Sequence, residues 1–182
     1  MKVFKILILC LTITMGSKVS AQEKNTNKLM EDVKSAKEML IERDAGLQKF
    51  FDESAGYVIF PNVGKGGFIV GGASGNGILY ENGKAQGIAD LKKISVGLQA
   101  GGQAIIEVIF FENDDELNKF KNGEFQFAAS ASAVAVKSGV AVNAKYKDGV
   151  AVFALPKAGL MADASVGGQK FSYKPFNKDS EK

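Results

Sequence analysis

The stretch that decides the fold runs Gly56-Tyr57-Val58-Ile59-Phe60-Pro61-Asn62-Val63-Gly64-Lys65-Gly66-Gly67-Phe68-Ile69-Val70-Gly71-Gly72, and continues to Asn82-Gly83 and Gly87. Short apolar runs alternate here with glycine pairs and turn dipeptides. Tyr57 to Phe60 has strand length and is expected to stop at Pro61, which cannot donate to a central ladder. Phe68, Val70 and Gly72 fall on one face of the following run, Ile69 and Gly71 on the other. Asn82-Gly83 between two strand-like segments signals a hairpin, because a type I′ turn needs two positive φ angles. Glycine at this density weakens flat strands, so the expected form is a strongly curved antiparallel sheet.

Outward from this stretch, Leu29, Val33, Ala36, Leu40, Leu47 and Phe51 recur at helical steps or their sums. Asp44 and Gly46 predict a break, with Asp44 capping the second helix. The polar side of this region mixes acids and bases, which fits packing over a sheet better than lying on a membrane. Ser95 to Ala100 alternates as a half-buried strand. Ala104 to Phe111 reads as a central strand covered on both sides, interrupted by Glu107, which is expected at the rim. Glu112 to Glu116 precedes a short helix ending at Gly123. Acids there suit a helix start, and they lack the alternation and central glycine of a calcium loop. Phe125 to Tyr146 is rich in small residues that allow close approach. Lys147-Asp148-Gly149 is a turn, and Val150 to Leu155 a further strand. The fold class is therefore α+β: N-terminal amphipathic helices on a strongly curved, mostly antiparallel sheet or half-barrel, with one further helix in mid-chain.

The ends carry separate information. Lys2 and Lys5, the apolar run Ile6 to Met15 and Val19-Ser20-Ala21 have the order of an export signal cleaved before Gln22. Residues 1–21 are read as that signal, 22–27 as a disordered lead, 28–176 as a single domain and 177–182 as a polar tail. The apolar run is shorter than the roughly 20 residues a bilayer requires. Cys10, the sole cysteine, lies within it. Without Lys2, Lys5 and Lys18, 20 basic residues face 20 acids, so the basic pI of the full chain is no argument for nucleic acid. Charge is nevertheless uneven: residues 137–182 hold eight lysines against four acids, and residues 53–136 hold six against nine.

Chemistry is constrained by what is missing. There is no histidine and no cysteine after processing, which removes common zinc sites and Ser–His or Cys–His nucleophiles. No serine stands three residues before a lysine. Ile69 occupies the third position of a dinucleotide fingerprint begun at Gly64 and Gly66, and Gly66 follows Lys65 where a Walker loop needs serine or threonine. No catalytic residue, metal site or cofactor is assigned. A carboxylate-based hydrolase remains a formal alternative, since spatial pairing is invisible in sequence.

Ser54 to Pro61, Val63 to Gly72 with Gly75 and Gly77, Ser95 to Gln103, Ile109 to Asn113 and Lys157 to Gly168 resemble, in order, the signature segments of the SYLF domain family. The resemblance covers most of the chain after residue 30. It implies a non-catalytic module that binds membrane lipid, including phosphoinositide-type headgroups, and in eukaryotic members actin filaments. For an exported bacterial-type protein it points to an anionic or apolar membrane ligand rather than actin, in a periplasmic or secreted location at a membrane face. The residues carried over are Lys65 and Lys157, beside the glycine-rich loop of Gly64, Gly66 and Gly67. Phe153-Ala154-Leu155-Pro156-Lys157 departs from the Tyr-Ser-Arg-Ser-Lys-like run of relatives, and without that arginine bidentate phosphate recognition is lost. The competing architecture is a small outer-membrane barrel. Absence of tryptophan girdles and a charged C-terminal tail stand against it. A structural protein-interaction domain is the other alternative.

Overall fold

The computed structural model describes residues 2–66, 70–96, 104–127, 132–157 and 168–176. Helices α1 (Lys2–Arg43) and α2 (Leu47–Glu53) lead into strands β1 (Gly56–Gly66), β2 (Val70–Glu81), β3 (Lys84–Val96) and β4 (Ala104–Phe111). Helix α3 (Asp114–Lys121), the two-residue strand β5 (Val134–Ala135), a 3₁₀ turn at Ala141–Asn143 and strands β6 (Val150–Pro156) and β7 (Gln169–Pro175) follow. The architecture is α+β. One open sheet runs in the order β5-β6-β4-β1-β2-β3-β7, antiparallel throughout except for the β5–β6 pair. Two distinct edges, β5 and β7, set it apart from a closed barrel. No helix among the described residues is long and apolar enough to cross a membrane.

Each face of the sheet has its own core. On one side, Val33, Ala36 and Leu40 of α1 and Leu47, Phe50 and Phe51 of α2 cover Tyr57, Ile59, Ile78, Ile106, Val108, Phe110 and Phe153. The α1 spacing of three and four residues is what aligns its apolar stripe with the sheet. Phe110 sits at the centre of this face, with ring centroids of Phe51, Phe50 and Phe153 at 4.8, 5.4 and 5.9 Å. On the other side, Val58, Phe60, Leu79, Leu91, Ile109 and Phe111 meet Leu117 and Phe120 of α3. Central β4 is thus buried on both faces, as its sequence predicts.

The helix break falls where expected, but Asp44 acts differently from a simple cap. Gly46 occupies the N-cap of α2 without a side-chain bond. The buried Asp44 carboxylate instead accepts from Gly46 N at 3.0 Å and from Ala141 N at 2.7 Å. It ties the interhelical turn to the 3₁₀ turn, a contact between residues far apart in sequence. At α3 the cap is Asn113, whose Oδ1 accepts from Glu116 N at 3.1 Å, and Asp114, Asp115 and Glu116 fill the first turn. The acids face the exposed N–H groups and dipole of the helix.

Pro61 does not end β1. The strand continues to Gly66, and the pairing slips between Phe60 and Val63 on the β4 side and between Ile59 and Gly64 on the β2 side. A proline at a bulge leaves no ladder bond unmade, which is why an interior strand tolerates it. The hairpin at Asn82 (φ 51°) and Gly83 (φ 73°) and the turn at Asp148 (φ 52°) and Gly149 (φ 74°) form as their sequences require. Of the expected alternating strand Ser95 to Ala100, residues 97–100 lie outside the described residues, as do Phe68 and Ile69.

Candidate functional site

Strands β1, β3 and β6 end, and β2, β4 and β7 begin, at one end of the sheet. Lys65 and Lys157 both lie there. Lys157 N donates to Ala104 O at 3.0 Å, and Ala104 is the register partner of Gly64. Lys157 and Gly64 are therefore two strand intervals apart, about 10 Å between backbones, with Lys65 the next residue along β1. Lys157 is exposed and its Nζ donates to Asn62 Oδ1, in the bulge of β1. The neutral amide orients the ammonium without cancelling its charge, and Lys157 has no acidic partner among the described residues.

The glycines divide by role. A Cβ on Gly77 would stand 2.4 Å from Ile59 O, and one on Gly75 2.8 Å from Asn62 O, so these positions are needed for close strand approach at the bulge. Among the described residues, no heavy atom lies within 4 Å of a Cβ position on Gly64. It borders open space beside Lys65. Gly66 pairs with Gly72 at the end of the β1–β2 ladder, and Gly67 lies outside the described residues.

Beneath this end lies a polar feature that the sequence places wrongly. Glu107 is fully buried, not at the rim. Gln169 Nε2 donates to its Oε2 at 3.0 Å. Residues 107 and 169 belong to β4 and β7, four strand intervals apart, which is about 19 Å along a flat sheet. Two side chains cannot bridge that distance, so the sheet curls enough to bring its fourth strand interval within hydrogen-bonding range. Phe60 and Phe171, with centroids 6.0 Å apart across three intervals, report the same curl. The register runs Lys65–Ala73–Lys93–Gln169 across four strands, so the backbone of Lys93 joins this row. Gln169 Oε1 is buried and has no hydrogen-bond partner among the described residues.

Elsewhere, perturbed groups are structural. Burial pushes the Tyr146 hydroxyl up to about 12, with the charges of Glu112 and Glu53 adding to the effect. Burial lowers Lys37 while Asp52 opposes the shift; its Nζ lies 4.4 Å from the Phe51 ring centre and donates to Tyr57 Oη at 3.2 Å. These groups latch α1 and the 146 region onto the aromatic core. No cluster of three or more residues suited to hold a metal occurs among the described residues.

Glu107 had a sequence signal, a lone carboxylate in an otherwise apolar strand. Gln169 had none, because its partner is 62 residues away and its role depends on the curl.

Comparison with known proteins bears out the resemblance. The model of the Ysc84 family, described as Las17-binding protein actin regulator, matches residues 92–177. That segment includes Lys157, Glu107 and Gln169 and begins after Lys65. A protein of Aeromonas veronii, Beta cell expansion factor A, is 28% identical over 123 residues, covering 66% of this chain and 46% of its own length. The chain therefore spans about half of that relative.

Proposed function

We propose that this chain, whose residues 92–177 match the Ysc84 family model, is a non-catalytic module that binds anionic lipid headgroups at the glycine-rich end of its sheet. Lys65 and Lys157 supply point charges, and Gly64 leaves the backbone open to a headgroup. The observation that carries this reading is the register that sets two lysines, 92 positions apart in sequence, at one end of the sheet. Lysine rather than arginine at this rim favours general attraction to an anionic surface over recognition of one phosphate pattern. The same reading has residues 1–21 removed on export and the module working at a membrane face outside the cytoplasm. Actin binding, in the name of the matched family, is set aside for an exported chain.

The test is flotation of the protein with vesicles of phosphatidylglycerol and phosphatidylcholine. Lys65→Glu with Lys157→Glu lowers the bound fraction below either single change, since each lysine contributes on the order of 1 kcal/mol near an anionic surface. The loss shrinks in high salt. Lys182→Glu, in the tail, is the control; a double variant that binds like this control refutes the site.

A further inference from the structure

A second concavity opens elsewhere in the molecule, and neither Lys65 nor Lys157 is among its lining residues. It is a groove of about 610 Å³ between α3, the segment 124–127 and the start of β6. That volume lies within the roughly 300–1,000 Å³ usual for small-molecule sites. Its floor is Phe125, Phe127, Val134, Val150 and Val152. Phe125 and Phe127 meet edge to face, with centroids 5.1 Å apart and rings at 80°. Phe125 and Val152 belong to the core on the α3 side of the sheet, its inner face, so the groove reaches down to that core.

The rim carries both signs of charge. Glu116 and Lys119 form a 2.6 Å ion pair, and the charge of Glu124 also acts on Lys119 without touching it. The remainder are Glu124 on the wall that bears the phenylalanines, and Lys145, Lys147 and Asp148 on the wall leading into β6. All four are exposed and none has an ion-pair partner among the described residues. The rim therefore has no net charge, yet its cations cluster on one wall and an acid stands beside aromatic rings on the other.

We infer that this groove binds a single-chain zwitterionic amphiphile, whose headgroup joins an ammonium to a phosphate. The apolar floor takes the chain. The phosphate faces Lys145 and Lys147, which have three donors each and, although Asp148 shares their wall, no ion-pair partner among the described residues. The ammonium faces Glu124 and Phe127, where a carboxylate and an aromatic ring both attract a cation. A simple fatty acid would leave Glu124 unmatched, and a simple cationic detergent would leave the two lysines unmatched. Discrimination against both is what a divided rim provides.

Calorimetric titration with detergents held below their micelle concentrations tests this directly. Dodecylphosphocholine binds saturably at one site, and dodecanoate and dodecyltrimethylammonium bind at least about ten-fold more weakly, the effect of one lost charge-assisted contact. Ser132→Trp, an exposed groove residue whose change spares the core, abolishes the saturable heat. Lys145→Glu with Lys147→Glu reverses the preference toward dodecyltrimethylammonium. Equal binding of dodecanoate and dodecylphosphocholine, wild-type binding by the Ser132→Trp variant, or no saturable binding at monomer concentrations would each overturn the inference. Anionic-vesicle flotation is run in parallel: Ser132→Trp leaves it unchanged, and Lys65→Glu with Lys157→Glu leaves detergent binding unchanged. The two sites therefore succeed or fail separately.

Discussion

The two faces of the sheet are built from the same strands but solve different problems. The face under α1 and α2 is apolar at its centre, with Phe110 ringed by Phe50, Phe51, Tyr57 and Phe153, and its buried carboxylate, Asp44, lies at the margin in the interhelical turn. The inner face is just as buried, yet it encloses the Glu107 carboxylate and the Gln169 amide. A carboxylate in such a place is costly to desolvate, and apolar replacements of similar size are commonly neutral or stabilising. The outer face is therefore organised for stability. The inner face gives up some stability to hold a polar tie across its curl, directly beneath the end where Lys65 and Lys157 stand.

The sharpest way to break this comparison is at Phe110. Phe110→Ala removes the ring at the centre of the outer face and costs about 3–5 kcal/mol, read from the urea midpoint. A loss below about 1 kcal/mol would mean that α1 and α2 repack freely and that this face is not the stabilising one.

A smaller effect is expected on the inner face. Gln169→Leu withdraws a donor from a buried carboxylate and lowers stability by about 1–3 kcal/mol. Adding Glu107→Leu removes the carboxyl that the Gln169 amide serves, so the double variant recovers part of that loss. If the two changes simply add, the pair is not coupled and the tie across the curl has no energetic meaning.

The smallest effect is one of pH. Tyr146 packs on Phe50 at the margin of the outer core, with centroids 5.3 Å apart. Its hydroxyl titrates at about 12 in the folded protein against an ordinary value of 10.0. The protonated form is favoured by folding, so this contribution is fully present below pH 10. It is lost as pH rises from 10 toward 12, because the unfolded chain releases the proton first. The melting temperature should fall over that window, and Tyr146→Phe should make the fall shallower. An unchanged slope would put the alkaline transition on other tyrosines, such as Tyr57 and Tyr80, which burial also raises.

Much of this was legible along the chain because it depends on neighbours in sequence. The helical stripe from Leu29 to Phe51, the break near Gly46, the type I′ turn at Asn82-Gly83 and the two-sided burial of Ala104 to Phe111 are periodicities and turn chemistries. They hold whatever the rest of the molecule does. The absence of histidine, and of cysteine beyond Cys10, likewise narrowed the available chemistry before any fold was known. Only the tertiary structure could decide matters that depend on strand order. Pro61 reads as a stop until a bulge absorbs its missing donor. Asp44 reads as a cap until Ala141 N arrives to share it. Glu107 reads as a rim residue because a lone acid in an apolar strand has no visible partner. The curl of the sheet brings Gln169 across four strand intervals to meet it, and a hydrogen bond between distant strands leaves no periodic trace in either one.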